Sequence, residues 1–79
     1  MSCETIIKEA DYFRVVVRRN FFPACQVKDV VVLEFAELTW RDGDFLKIWR
    51  PIRTIIHNDL NYARAFAIHL FNEIVREYE

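Results

Sequence analysis

The pattern of apolar and polar positions divides the chain into two kinds of segment. From Asn58 to Glu79 the apolar residues recur at helical spacing, and Leu60, Ala63, Ala67, Leu70, Phe71, Ile74 and Tyr78 fall on one face. Asn58 offers a side-chain oxygen to the first turn, and Asp59 adds negative charge where the helix dipole is positive. No Gly or Pro interrupts the run. About 20 helical residues would extend for roughly 30 Å.

Upstream the period shortens to two. Between Tyr12 and Arg19, Phe13, Val15 and Val17 alternate with Arg14, Val16 and Arg18, and these β-branched residues suit a strand. Asn20 to Gln26, with Pro23, reads as a loop or wide hairpin connection. Val27 to Trp40 is a long second strand, and Asp42-Gly43 after it is the strongest short hairpin signal in the chain. A two-residue loop would set Glu37 opposite Ile48 and Phe35 opposite Arg50. A three-residue loop over Arg41-Asp42-Gly43 sets Glu37 opposite Lys47, Glu34 opposite Arg50, Leu38 opposite Leu46, Ala36 opposite Ile48 and Phe35 opposite Trp49. Opposite charges and like apolar groups meet only in the second register, which is therefore expected.

A third strand follows from Asp44 to Arg50, and Pro51 ends it or marks an edge. Residues 52–57 fit either an extension beyond a kink or an early helical turn. Residues 2–10 are equally open: Ser2 could cap one short turn with Ile6, Ile7 and Ala10 inward. The expected fold is α+β, a three-stranded antiparallel meander with one long C-terminal helix packed on one face. Its 79 residues make a single domain, 1–79, without internal repeats or linkers.

Composition adds one tension. The chain is 53% hydrophobic and 15% aromatic with a single Gly, so it is globular. A domain this small buries only about 60% of the surface of its unfolded chain. Some of its seven Phe, three Tyr and two Trp are therefore expected at the surface as a contact patch. The helix has the same excess. Phe66 lies beyond one margin of its core stripe and Ile68 and Val75 beyond the other, giving an apolar arc of about 200°. Either a partner covers the margins, a second copy among the candidates, or the twisted sheet and residues 1–10 wrap them.

Net charge is −1 and evenly distributed, with five Lys/Arg and six Asp/Glu up to residue 40 and six of each beyond it. That argues against a chain-wide attraction to nucleic acid or anionic membrane. No apolar run approaches the roughly 20 residues that cross a bilayer. The opening Met-Ser-Cys-Glu-Thr lacks the pattern of a secretory leader, and two cysteines are too few for a disulfide scaffold. An intracellular, cytoplasmic protein with free thiols is the expectation.

Candidate chemistry is sparse. Arg18, Arg19, Phe21, Phe22, Trp40-Arg41, Trp49-Arg50 and Arg53 join arginine to aromatics, as in sheets that stack bases and hold phosphates. No RNA-recognition motif accompanies them. Glu34, Glu37, Asp42 and Asp44 would neutralise them in cross-strand salt bridges. The same residue types are enriched at protein-binding hot spots. Cys3, Cys25, His57 and His69 match a zinc site only by count, because their spacings of 22, 32 and 12 fit no compact module. Cys25, His57 and Asp59 are the residue types of a thiol nucleophile, base and orienter, without local support for that role. Glu73 and Glu77 are a solvated carboxylate pair on the helix. With Gly43 alone, no phosphate-cradling loop is possible.

The sequence names no reaction, cofactor or metal. It is expected to be a small non-catalytic binding module for another protein or protein complex, with Trp40, Trp49, Arg50, Arg53 and Phe66 as anchors and a homodimer as its own form. A nucleic-acid accessory protein and a subunit of a larger assembly are the alternatives. In size and composition it is similar to accessory inhibitors from phages and mobile elements, anti-CRISPR proteins among them. That likeness does not extend to sequence.

Overall fold

The computed structural model describes residues 3–21 and 27–78. Its elements are β1 (Cys3–Glu9), β2 (Phe13–Phe21), β3 (Val27–Arg41), β4 (Asp44–Ile55) and α1 (Leu60–Tyr78). The strands form one antiparallel sheet in the order β1-β2-β3-β4. The α+β class and the C-terminal helix are as expected, but the meander has four strands instead of three. Within the segment left open at residues 2–10, Cys3–Glu9 form β1 and not a short helical turn, and β1 joins β2 through a tight turn in which the Ala10 N–H donates to the Phe13 carbonyl (2.7 Å).

Alternation sorts the sheet into two faces. Val15, Val31 and Leu33 point toward α1 and pack with Ala63, Ala67 and Phe71, flanked by Ile7, Phe13, Val17, Ile55, Leu60, Leu70, Ile74 and Val75. The small Ala63 and Ala67 let the helix backbone approach the sheet over β2 and β3. Val16, Val30 and Val32 form a second buried cluster on the opposite, outer face. With one helix on one side, the molecule is a thin slab whose Cα atoms span 43 × 31 × 15 Å.

Three further expectations need correction. The hairpin takes the two-residue loop: Arg41 pairs with Asp44, Trp40 with Phe45, Glu37 with Ile48 and Phe35 with Arg50. Asp42 (φ 53°) and Gly43 (φ 86°) both lie in the left-handed region, the signature of the tight turn whose twist matches the strands. That local geometry outweighs the charge pairing, which is recovered on the diagonal where Arg50 reaches Glu37. Next, the strand expected over Asp44 to Arg50 does not stop at Arg50; of its two expected roles, Pro51 marks an edge strand and does not end it. The register shifts there, Glu34 pairing with Pro51 and Leu33 with Arg53, so Ile52 is an extra residue in a bulge and β4 continues to Ile55. Last, the helix cap is Asp59, not Asn58. Its Oδ1 accepts from the N–H groups of Asn61 (3.0 Å) and Tyr62 (3.3 Å).

β1 and β2 stop well short of the turn of the last hairpin. The final β2–β3 bond at that end runs from the Ala36 N–H to the Tyr12 carbonyl (2.8 Å). Beyond it, Glu37–Arg41 and Asp44–Ile48 continue as a two-stranded ribbon, and α1 also ends level with Phe13, where Tyr78 meets that ring at 6.1 Å.

Candidate functional site

The outer face near β1 is closed by charge. Arg14 and Arg18 flank Val16 on β2, while Glu4 on β1 and Glu34 on β3 lie to either side. Arg14 Nε donates to Glu34 Oε1 (2.7 Å) and its Nη2 to Glu4 Oε1 (3.2 Å). Arg18 Nε donates to Glu4 Oε2 (2.8 Å) and its Nη2 to Glu34 Oε2 (2.7 Å). The four groups form a closed ring whose diagonal bonds run over Val16, and this is how an outer-face valine becomes buried without a second layer. Glu34 is only 1% exposed and has both oxygens paired, as a buried charge requires. The hydrogen bond that Arg18 donates to Glu4, with Glu34 adding to it against the cost of burial, holds the Arg18 guanidinium above its ordinary pKa. It therefore stays charged at any pH a protein meets.

The ribbon has no such cover. On its outer face Leu38, Trp40 and Phe45 are 48%, 62% and 66% exposed, and Trp40 and Phe45 meet edge to face at 4.7 Å. Trp49, at the ribbon's base on the same face, is half-buried beneath the Arg14 guanidinium, 4.3 Å from the ring centre. Tyr12 adds an exposed ring beside them, with Lys47 Nζ 5.6 Å above it. On the helix side of the ribbon, Leu46 and Ile48 are also exposed. There a cleft of about 410 Å³ opens where α1 ends, lined by Phe13, Phe35, Ile52, Ile74, Glu77 and Tyr78.

The five anchor candidates fall into two groups on opposite faces. Trp40 and Trp49 share the outer face. Arg50 and Arg53 point to the helix side, Arg50 to Glu37 and Arg53 over the Phe66 ring at 5.2 Å. Phe66 also stacks on Tyr62 at 6.4 Å. Phe45 and Leu38, the other exposed members of the outer patch, escaped the sequence reading because the expected register did not set Phe45 opposite Trp40. On the other helix margin Val75 packs against the core, and Lys8 of β1 lies 5.7 Å over Phe71.

The remaining constellations resolve locally. His57 Nδ1 accepts from the Asp59 N–H (2.9 Å) and its ring lies 4.5 Å from that of Tyr62, so His57 and Asp59 meet as parts of a helix cap. Cys25 and Phe22 lie outside the described residues. Among the described residues His69 forms an ion pair only with Glu73 (3.8 Å), which also accepts from Arg76 (3.3 Å). Among the described residues no group of three or more His, Cys, Asp or Glu is placed to hold a metal ion, and no helix is long and apolar enough to cross a membrane.

Compared with protein-family models, curated proteins and solved structures, the chain matches none.

Proposed function

We propose that the chain is a non-catalytic protein-binding module that acts by occupying a surface of another protein or complex. The observation that carries this reading is the bare outer face of the ribbon, where Leu38, Trp40 and Phe45 stand exposed together. Aromatic side chains clustered at the centre of an apolar patch and rimmed by charge are the usual composition of a binding hot spot. Here Lys47 borders the patch on the same face and Asp42 lies at the turn beside it, so charges of both signs flank the apolar group. Trp40 is the first anchor, and Trp49 supports it from the base of the ribbon. Arg50, Arg53 and Phe66 offer a second, weaker contact on the helix side.

The arginines on the outer face favour a protein partner over nucleic acid. Arg14 and Arg18 are fully engaged by Glu4 and Glu34, and so are not free for phosphate. A compact chain whose exposed residues suit blocking more than chemistry fits an accessory inhibitor, such as those encoded by phages and mobile elements.

The test is capture from cell lysate on the immobilised protein, with and without nuclease, beside a Trp40→Ala variant. The reading expects a protein partner that survives nuclease and is lost with Trp40→Ala, at a cost of about 1 to 3 kcal/mol in binding. Capture that disappears with nuclease, or that ignores Trp40→Ala, overturns it.

A further inference from the structure

From the exposed edge of β4 we infer that a second copy of the chain pairs with this one, strand to strand, antiparallel and symmetric about Lys47. With the two-residue turn, Asp44, Leu46, Ile48 and Arg50 direct their backbone groups to β3. Phe45, Lys47 and Trp49 then direct theirs away from the sheet, as an unpaired edge. Neither β1, β2 nor α1 reaches this stretch.

Three observations select a second copy and its register. The first is charge and shape. With the two-fold axis at Lys47, Asp44 faces Arg50 of the second copy, Phe45 faces its Trp49, and Leu46 faces its Ile48. Each of these three pairs occurs twice and matches by charge or by apolar type, and the one like-charge pair is Lys47 against its own copy on the axis. Asp44 has no ion-pair partner among the described residues of its own chain. Moving the axis to Leu46 sets Asp44 against Ile48, and moving it to Ile48 sets Leu46 against Arg50.

The second observation is the pair of stops. The same axis sets Pro51, which has no N–H for a ladder, against Gly43 of the turn, so the matched stretch Asp44–Arg50 is bounded symmetrically at both ends. The third is Lys47 itself. A lysine in the middle of an edge strand ordinarily guards it against pairing. Here Lys47 donates from Nζ to the Asp11 carbonyl (2.8 Å) and lies over Tyr12. Its charge is drawn away from the edge, leaving the backbone open to a copy whose own Lys47 is drawn away likewise.

The resulting sheet places both outer faces on one side, so Leu38, Trp40 and Phe45 of the two copies form one patch. The pairing is independent of the foreign partner proposed above, and it is tested on the purified chain alone.

The experiment is sedimentation of the full chain over a concentration series, followed by Asp44→Arg, Arg50→Asp and a mixture of the two. The wild type is expected to dimerise. Each single variant sets like charges face to face in its own dimer and weakens it about tenfold. Mixing the variants matches every charge again, so a heterodimer of near wild-type strength is expected by native mass spectrometry. Because both positions are exposed, thermal unfolding should stay close to wild type; Lys47→Pro, which removes the central outward N–H, is the second probe and should abolish the dimer. A monomeric wild type, single variants that dimerise unchanged, or a mixture that stays monomeric would each overturn the proposal.

Discussion

The two ends of the sheet are built from the same residue types and use them in opposite ways. Around Val16, two arginines and two glutamates close a ring over apolar residues, and Glu34 is shielded from water with both oxygens satisfied. At the ribbon, Arg50 and Glu37 form a single pair with both side chains about half exposed, and the apolar residues around it stay bare. The difference follows from the number of neighbours. In the middle of the sheet β2 has a strand on each side and a helix below, so a side chain can be enclosed. A two-stranded ribbon offers a side chain one neighbour, and its aromatic groups are hidden only if something else arrives. Enclosed and exposed apolar groups are therefore separated along the long axis of β3, which belongs to both regions.

If that separation holds, the largest effect belongs to the helix-covered end. Phe71 is buried against Val15, Val31 and Leu33, and Phe71→Ala should cost about 3 to 5 kcal/mol. Small domains have little more than that to lose. Urea titration should find the variant largely unfolded without denaturant. Retention of near wild-type stability would mean the core lies elsewhere.

A paired substitution sharpens the contrast. Glu34→Ala leaves Arg14 and Arg18 facing each other over a buried valine, with an expected loss of about 3 kcal/mol. Glu37→Ala removes a salt bridge of the same chemistry where solvent screens it, and should change stability by less than about 1 kcal/mol. Both are read as midpoint shifts in the same denaturant titration. Equal shifts would erase the distinction between the enclosed ring and the exposed pair.

What the sequence made legible follows the same division. The helix and the unbroken parts of β2 and β3 were plain because their periods run without interruption. The two segments that stayed open, residues 2–10 and 52–57, each contain or adjoin a bulge. On β1 the register shifts between Ile6 and Lys8, so Ile7 and Lys8 both turn to the helix side and the alternation is lost. On β4 the extra Ile52 after Pro51 does the same. A bulge cannot be read from periodicity, since it is a break in periodicity. The hairpin register was missed for a different reason. Side-chain pairing favours the three-residue loop, but the left-handed conformation that Asp42 and Gly43 adopt favours the two-residue loop and prevails. Of the candidate site, Trp40 and Trp49 were legible as residue types. Their separation from Arg50, Arg53 and Phe66 onto another face depended on the register.

The most local effect tests whether the ribbon is a separate cooperative unit. Gly43 has φ 86° with open space around the position a Cβ would take, so Gly43→Ala introduces backbone strain and no clash. That strain is worth about 1 to 2 kcal/mol in the left-handed region. A two-stranded ribbon is marginal by itself, so the loss should be felt locally. Native-state hydrogen exchange should then show faster exchange at the ribbon amides between Glu37 and Ile48. Protection of Val15–Val17 and Val31–Leu33 should change little. If all of these amides lose protection together, the turn is coupled to the whole fold. The ribbon would then be an extension of the core, and its exposed aromatics could not be altered without altering the fold that presents them.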